Sequence, residues 1–184
     1  MGNTVGNDSI RYFSKNNSES AVRDGLPDCF PRLWRFCLSL TGRRDAADDL
    51  AQATCARAIE KAAHFQAGTH LDRWLFVMAR RVWLNEVRKD AIRGSAGFVA
   101  IEENEISDGS APAETNIFAR EVLSELNRLP EAQRVAALLV FVEGYKYAEA
   151  AEILDIPTGT VMSRISAARA SLARRMDQAT GTGK

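Results

Sequence analysis

The chain is predicted to be all-α: two small helical domains joined by a flexible acidic linker, the C-terminal one containing a helix-turn-helix. Three observations predict this. Apolar residues fill 46% of the 184 positions and recur three or four apart. Only 5 prolines and 12 glycines interrupt them. The helical period lapses over one acidic stretch in the middle, which leaves a periodic half on either side.

Residues 1–24 are rich in Asn, Ser, Gly and Asp and sustain no apolar period, so a mobile tail is expected, with Ile10, Tyr12 and Phe13 as a small apolar patch. From Leu26 the pattern changes. Phe30, Leu33, Trp34, Cys37 and Leu40 keep helical spacing up to Gly42, a C-terminal stop. Asp45 is placed to cap the next helix, whose first turn carries Asp48 and Asp49 near the positive end of the dipole. That helix continues through Leu50, Ala51, Thr54, Ala58 and Ala62 to His64, and a loop over 65–70 follows.

A long helix is expected from Leu71 to Ile92, with Leu71, Leu75, Met78 and Val82 as its core stripe. Arg73, Arg80, Arg81, Arg88, Lys89 and Arg93 accumulate on its remaining surface against Asp72, Glu86 and Asp90. Trp74, Phe76 and Trp83 interleave with these cations. Arginines beside aromatic rings suit single-stranded nucleic acid, because bases stack on rings while phosphates meet cations. The plainer reading places the aromatics in the core, and that is expected at least for Trp74. The first domain is therefore 25–93.

Residues 94–118 break the period with Gly, Ser and Pro and carry Glu102, Glu103, Glu105, Asp108 and Glu114 with no basic residue. They read as the linker, and their charge offsets the basic surfaces to give a formal net charge of zero. A zero balance argues against coating nucleic acid by bulk charge, though not against local basic faces.

Helical period returns at Ala119 with Val122, Leu123, Leu126 and Leu129. Pro130 breaks the chain and starts another helix, carrying Val135, Leu138, Leu139 and Val142 up to Gly144. The stretch from Tyr147 to Met176 has the helix-turn-helix pattern. Ala148, Ala151 and Leu154 line a short first helix. Asp155-Ile156-Pro157 forms the turn, Thr158 caps the second helix, and Val161, Ile165, Ala168 and Leu172 form its buried stripe. The other face, Thr160, Ser163, Arg164, Ala167, Ser171 and Arg174, has short hydroxyls near the N-terminus, where a recognition helix meets base edges, and arginines beyond. On this stretch alone an ordinary helical hairpin with solvated arginines is the alternative. The second domain is 119–177, and residues 178–184 are expected to fray.

Cys29, Cys37 and Cys55 are odd in number and lack CxxC spacing, so they read as small buried helical residues. His64 and His70 flank the loop without ligand-spaced partners. No nucleophile and base pair, phosphate loop or ligand cluster appears, so no enzyme activity, cofactor or metal is expected. Neither a signal peptide nor a bilayer-length apolar run is present, which leads to an expected cytoplasmic location without membrane insertion.

Taken together, LPDCFPRLWRFCLSLTG, DAADDLAQATCARAIEKAAHF and THLDRWLFVMARRVWLNEVRK in the first half, with LNRLPEAQRVAALLVFVEGYKYAEAAEIL and IPTGTVMSRISAARASL in the second, resemble the extracytoplasmic-function (ECF) sigma factors. These are the smallest members of the bacterial housekeeping-type sigma family, and the resemblance covers 26–93 and 119–176. It implies a promoter-specificity subunit whose partners are core RNA polymerase, promoter DNA and an anti-sigma protein. It places Asp48, Asp49 and Gln52 on the polymerase clamp, with Ala53 standing where the family commonly has glutamate.

The same resemblance assigns the loop 65–70 and the helix after it to melting the minus-ten element and holding an unstacked base, with Arg80, Arg81, Trp83 and Arg88 as strand contacts. It gives the helix from Gly159 to the minus-35 duplex, with Thr160, Ser163, Arg164 and Ala167 toward bases and Arg169 and Arg174 near phosphates. The acidic linker matches the segment that threads toward the RNA exit path. Two other readings stand beside this one. A sigma-like decoy would bind an anti-sigma protein but no promoter, and has no need of Arg80, Arg81, Arg88 and Arg164. An autonomous helix-turn-helix regulator would need a dimer interface or effector pocket, of which the first domain gives no sign.

Overall fold

The computed structural model describes the backbone over residues 5–92 and 125–181 and side chains over 17–92 and 125–175. The first half is a three-helix unit: α1 (Val5–Thr41), α2 (Arg44–Glu60) and, after a short 3₁₀ turn at Ala62–His64, α3 (Leu71–Ile92). Leu33, Phe36 and Cys37 of α1, Leu50 and Ala51 of α2, and Leu75, Phe76 and Ala79 of α3 are buried together, and Phe36 stacks on Phe76 with ring centroids 4.6 Å apart. Burying each of these large side chains contributes about 1.5–3 kcal/mol.

The second half opens after a helical turn at 125–127 and Pro130. It contains α4 (Glu131–Ala137), a π-helical segment (Leu138–Val142), α5 (Tyr147–Leu154) and α6 (Thr158–Gly181). Leu138, Leu139, Ile153, Val161 and Ile165 form its core. Asp155 takes the left-handed conformation, φ 48°, that ends α5 and lets Ile156 turn back onto the core, so the turn is built as the sequence predicts, but Ala150 and Ile153 are buried where Ala148 was expected, and Thr158 lies inside α6 instead of capping it. Helix α6 starts at Thr158, with the Pro157 carbonyl accepting from the Thr160 and Val161 amides.

Several expectations are corrected. Helix α1 already runs from Val5, so residues 5–24 are helix where a tail was expected; Val22 is fully buried and Ser18 is 4% exposed, and this burial outweighs the polar composition. The residue preceding α2 is Arg43; Asp45 lies inside the first turn and pairs with Arg43 instead of capping. Phe76 belongs to the core, not to a basic surface. Helix α6 continues to Gly181, past the expected frayed boundary at 178, because Gln178 and Ala179 are good helix formers. The acidic linker at 94–118 and most of the helix expected from Ala119 lie outside the described residues.

The two halves are docked rather than apart. Arg134 of α4, 2% exposed, reaches the end of α1: its Nε donates to the Ser39 carbonyl at 2.7 Å and its Nη2 to that of Leu40 at 3.4 Å. Its Nη1 donates to the carbonyls of Asn127 and Leu129, both at 3.2 Å. Phe76 meets Tyr145 edge to face at 5.9 Å.

Candidate nucleic-acid interface

Helix α3 carries the first cationic surface because its core stripe leaves the arginines on the far side. Arg80, Arg81 and Arg88 line a cavity of about 380 Å³ together with Val77, Leu84, Asn85 and, from α5, Glu152, Ile153 and Asp155. Burial pushes the Arg80 guanidinium below its ordinary range; Asp155 pulls the other way, and Arg164, Arg81 and Arg88 add to the lowering. It stays a cation at neutral pH, since arginine starts so high. Three arginines therefore line one cavity, and a concentration of like charge of this kind attracts an anion such as a phosphate backbone.

A second cavity, of about 320 Å³, shares Val77, Arg81 and Asn85 with the first, so Arg81 stands between them. Its other walls are Trp74, Met78 and Val82 of α3, with Arg57, Lys61 and His64 from the end of α2 and the 3₁₀ turn. The Trp74 ring is tilted on Phe65 with centroids 5.3 Å apart. An indole wall with a cationic rim is able to stack one base and hold its phosphates. Trp74 is partly buried against the core and His64 is exposed, as the sequence predicts, but the sequence reading does not single out Arg57, Lys61 or Asn85. The signal was present in ARAIEKAAHF, where Arg57, Lys61 and His64 recur at helical spacing, ahead of the loop. Trp83 is partly buried against the core and lines neither of these cavities.

The second cationic surface lies on α6. Ser163 is exposed and its hydroxyl donates to the Thr160 carbonyl at 2.9 Å, while Thr160, Arg164 and Ala167 are half-buried. The charge of Arg164 adds to the lowering at Arg80. Arg174 is exposed and donates to the Ser171 hydroxyl at 3.4 Å. Arg169 lies over the Phe141 ring at 5.2 Å, a cation–π contact that steadies it at the surface.

A third surface is acidic. Asp48, Asp49 and Gln52 are all exposed along α2, as is Ala53. Asp48 is steadied by the Trp34 indole, whose Nε1 donates to its Oδ1 at 2.6 Å. The thiols of Cys29, Cys37 and Cys55 are free, and burial pushes that of Cys37 up to about 12, so it is an inert packing residue. Among the described residues no helix is long and apolar enough to cross a membrane.

Known families match both halves. The family described as Sigma-70 region 2 matches residues 28–92, and Sigma-70, region 4 matches residues 119–172. The ECF RNA polymerase sigma factor EcfG of Rhodopseudomonas palustris is 34% identical over 160 residues, which span 83% of this chain and 83% of that protein. The ECF RNA polymerase sigma factor SigC of Mycobacterium tuberculosis is 35% identical over 140 residues, 76% of this chain and 75% of its own. Among solved structures, the sigma factor RpoE in complex with the anti-sigma factor NepR from Bartonella quintana superposes with a TM-score of 0.70 at 31% identity, covering 86% of this chain and 98% of that one. CnrH in complex with the cytosolic domain of CnrY shares the fold, with a TM-score of 0.58 at 22% identity over 91% of this chain and 97% of that one.

Proposed function

The chain belongs to the ECF RNA polymerase sigma factors, and from that premise we propose a division of labour among its three surfaces. As a sigma factor it joins core RNA polymerase and promoter DNA in transcription initiation. The α2 face, with Asp48, Asp49 and Gln52, docks on the polymerase clamp. The α3 face, with Arg80, Arg81 and Arg88, holds the melted minus-ten strand, and the cavity walled by Trp74 accepts one unstacked base. Unstacking costs a few kcal/mol, which stacking on Trp74 and pairing with Arg57, Lys61 and Arg81 offset. Thr160, Ser163, Arg164 and Ala167 of α6 read the minus-35 duplex, with Arg169 and Arg174 against phosphates.

The observation that supports this reading is that one cationic surface lies on α3 of the first half and another on α6 of the second. Each contact is weak alone, and joining them raises the effective concentration of the second once the first is made. By analogy with its relative solved in complex with an anti-sigma factor, the chain is held in check by a protein of that kind, and it acts in the cytoplasm where polymerase is. The test is run-off transcription. Added to sigma-free core polymerase, the chain should yield transcripts from a small set of promoters, and Arg80→Ala with Arg81→Ala should abolish them. Equal transcript yield from that double variant would remove α3 from the mechanism.

A further inference from the structure

We propose that Gly25 and Val22 of α1 are positioning residues for the loop over 65–70 and, through it, for the cavity that accepts one unstacked base. By fixing where that loop begins and ends, they set which base the cavity prefers. The inference rests on the base-accepting role given above to the cavity walled by Trp74.

Helices α1 and α3 run side by side in the same direction. Arg32, which also donates to Glu143 of the second half at 2.6 Å, pairs with Asp72, and one turn later Phe36 stacks on Phe76. Earlier along α1, burial raises the Cys29 thiol and the Asp72 carboxylate raises it further. Earlier still, Gly25 lies against Leu71, the first residue of α3: a Cβ added at Gly25 would stand 2.7 Å from Leu71 Cδ2. Gly25, Cys29, Arg32 and Phe36 recur three or four apart, so one stripe of α1 follows the start of α3.

The stripe continues toward the N-terminus through Val22, fully buried, and Ser18, 4% exposed. Here α1 packs on the 3₁₀ turn at Ala62–His64. Ala62 and Phe65 are themselves 3% and 4% exposed and share the buried core with Val22. Helix α1 therefore underlies both ends of the loop, the turn before it and Leu71 after it. Between those ends the loop closes on itself: the Thr69 amide and hydroxyl both donate to the Gln66 carbonyl, at 3.1 and 2.7 Å, around Gly68 with φ 87°.

The loop ends also build the cavity. His64 lines it, Phe65 meets the Trp74 ring at 5.3 Å, and the His70 carbonyl accepts from the Trp74 amide at 3.2 Å. A shift at Gly25 would thus reach the indole through Leu71, three residues ahead of it on one helix. The Sigma-70 region 2 match begins at residue 28, so Ser18, Val22 and Gly25 lie ahead of it. A glycine inside a helix weakens that helix, and at position 25 the weakness is offset by the close approach of Leu71.

The experiment uses holoenzyme, the full chain on core polymerase, and a promoter that the parent transcribes, with each minus-ten position varied singly to all four bases. Run-off transcripts give the base preference at each position. Gly25→Ala suits the question because alanine favours a helix more than glycine does, so the melting temperature should hold or rise while Leu71 is displaced. The expected result is a loss of about tenfold in preference at the most selective minus-ten position. Minus-35 preference and polymerase affinity should stay within about twofold of the parent, since both belong to distant surfaces. Adding Leu71→Val, which withdraws Cδ2, to Gly25→Ala should restore the preference, a rescue that a role in stability alone would not give. Should Gly25→Ala lose its helical circular dichroism, Val22→Ala carries the same measurements of preference.

Trp74→Ala is run in parallel. If it removes the preference while a folded Gly25→Ala keeps it, the positioning role is overturned and the role of the cavity stands. If Trp74→Ala keeps the preference as well, the cavity does not accept the base and the inference falls with that reading. Equal losses at minus-ten and minus-35 would overturn it too, because they would report general damage.

Discussion

Helices α2 and α3 belong to one core, yet the second half treats them differently. On α2 the outward carboxylates are open to solvent, and Asp48 is held ready by Trp34. On α3 only part of the cationic surface meets the acidic side of α5: Arg73 is paired with Glu152 and Arg80 is half-buried beside Asp155, while Arg81 and Arg88 are exposed. Both helices expose charge of one dominant sign at helical spacing, so amphipathicity alone does not separate them. What separates them is complementarity to the second half, whose docking side is negative. That choice leaves the α2 carboxylates free and engages Arg73 and Arg80 of α3.

The contrast depends on docking, and the change expected to break it most severely is Arg134→Met. The guanidinium donates to four carbonyls, two of them at the end of α1, and burial pushes its pKa down, against a pull from Glu131. A charged hydrogen bond contributes about 1.5–3 kcal/mol, and losing several at once should cost about 3–5 kcal/mol. Separation of the halves would let water reach the abandoned carbonyls. The variant should therefore melt in two steps where the parent melts in one, as followed by circular dichroism, and a single unshifted transition would contradict the role of Arg134.

Next in size is the acidic face. Asp48→Lys with Asp49→Lys should lower affinity for core polymerase by about 2 kcal/mol or more, because opposite charge meets the same partner surface. The scattering radius should not change, since neither residue touches the second half. A pull-down of equal yield would count against α2 as the docking helix. The reading face should show a smaller effect. Arg164→Ala is expected to lose about 1–3 kcal/mol of minus-35 discrimination, seen as a relaxed footprint on promoter duplexes, while leaving polymerase affinity unchanged.

How much of this was legible depends on whether a residue's neighbours lie near it in sequence. Helix α3 runs Leu71–Ile92 as its period predicts, and the turn at Asp155-Ile156-Pro157 is where Pro and a short polar residue place it, because both signals act within a few positions. The α2 carboxylates and the α3 arginines were likewise legible, as charges left over once the stripe is assigned. The long α1 was not: Val22 is a single buried apolar residue in a polar run, and burial of one side chain leaves no period.

Nor was the docking of the halves legible. Phe76 reads as one more aromatic among arginines until Tyr145 is brought against it from across the chain. Glu143 and Arg32 stand 111 positions apart, and a charged residue in an amphipathic helix reads as solvated. Arg134 offered a clue in its register, one turn ahead of Leu138 on the buried side of its helix, where an arginine needs a partner.

The smallest expected effect is the most discriminating, because it falls where α1 ends against Arg134. Gly42 has φ 72°, and its amide donates to the Leu38 carbonyl at 2.8 Å, which closes α1. A Cβ added there would lie 3.2 Å from Arg134 Nη2. Gly42→Ala should cost about 1–2 kcal/mol from the left-handed backbone alone, with a further increment if the Arg134 guanidinium is forced back. The two contributions can be separated. Backbone strain persists whatever occupies position 134, whereas crowding vanishes when the guanidinium is gone. In urea titrations Gly42→Ala should therefore cost less in the Arg134→Met background than in the parent, and equal costs would mean that Gly42 serves the end of α1 alone and takes no part in seating the second half.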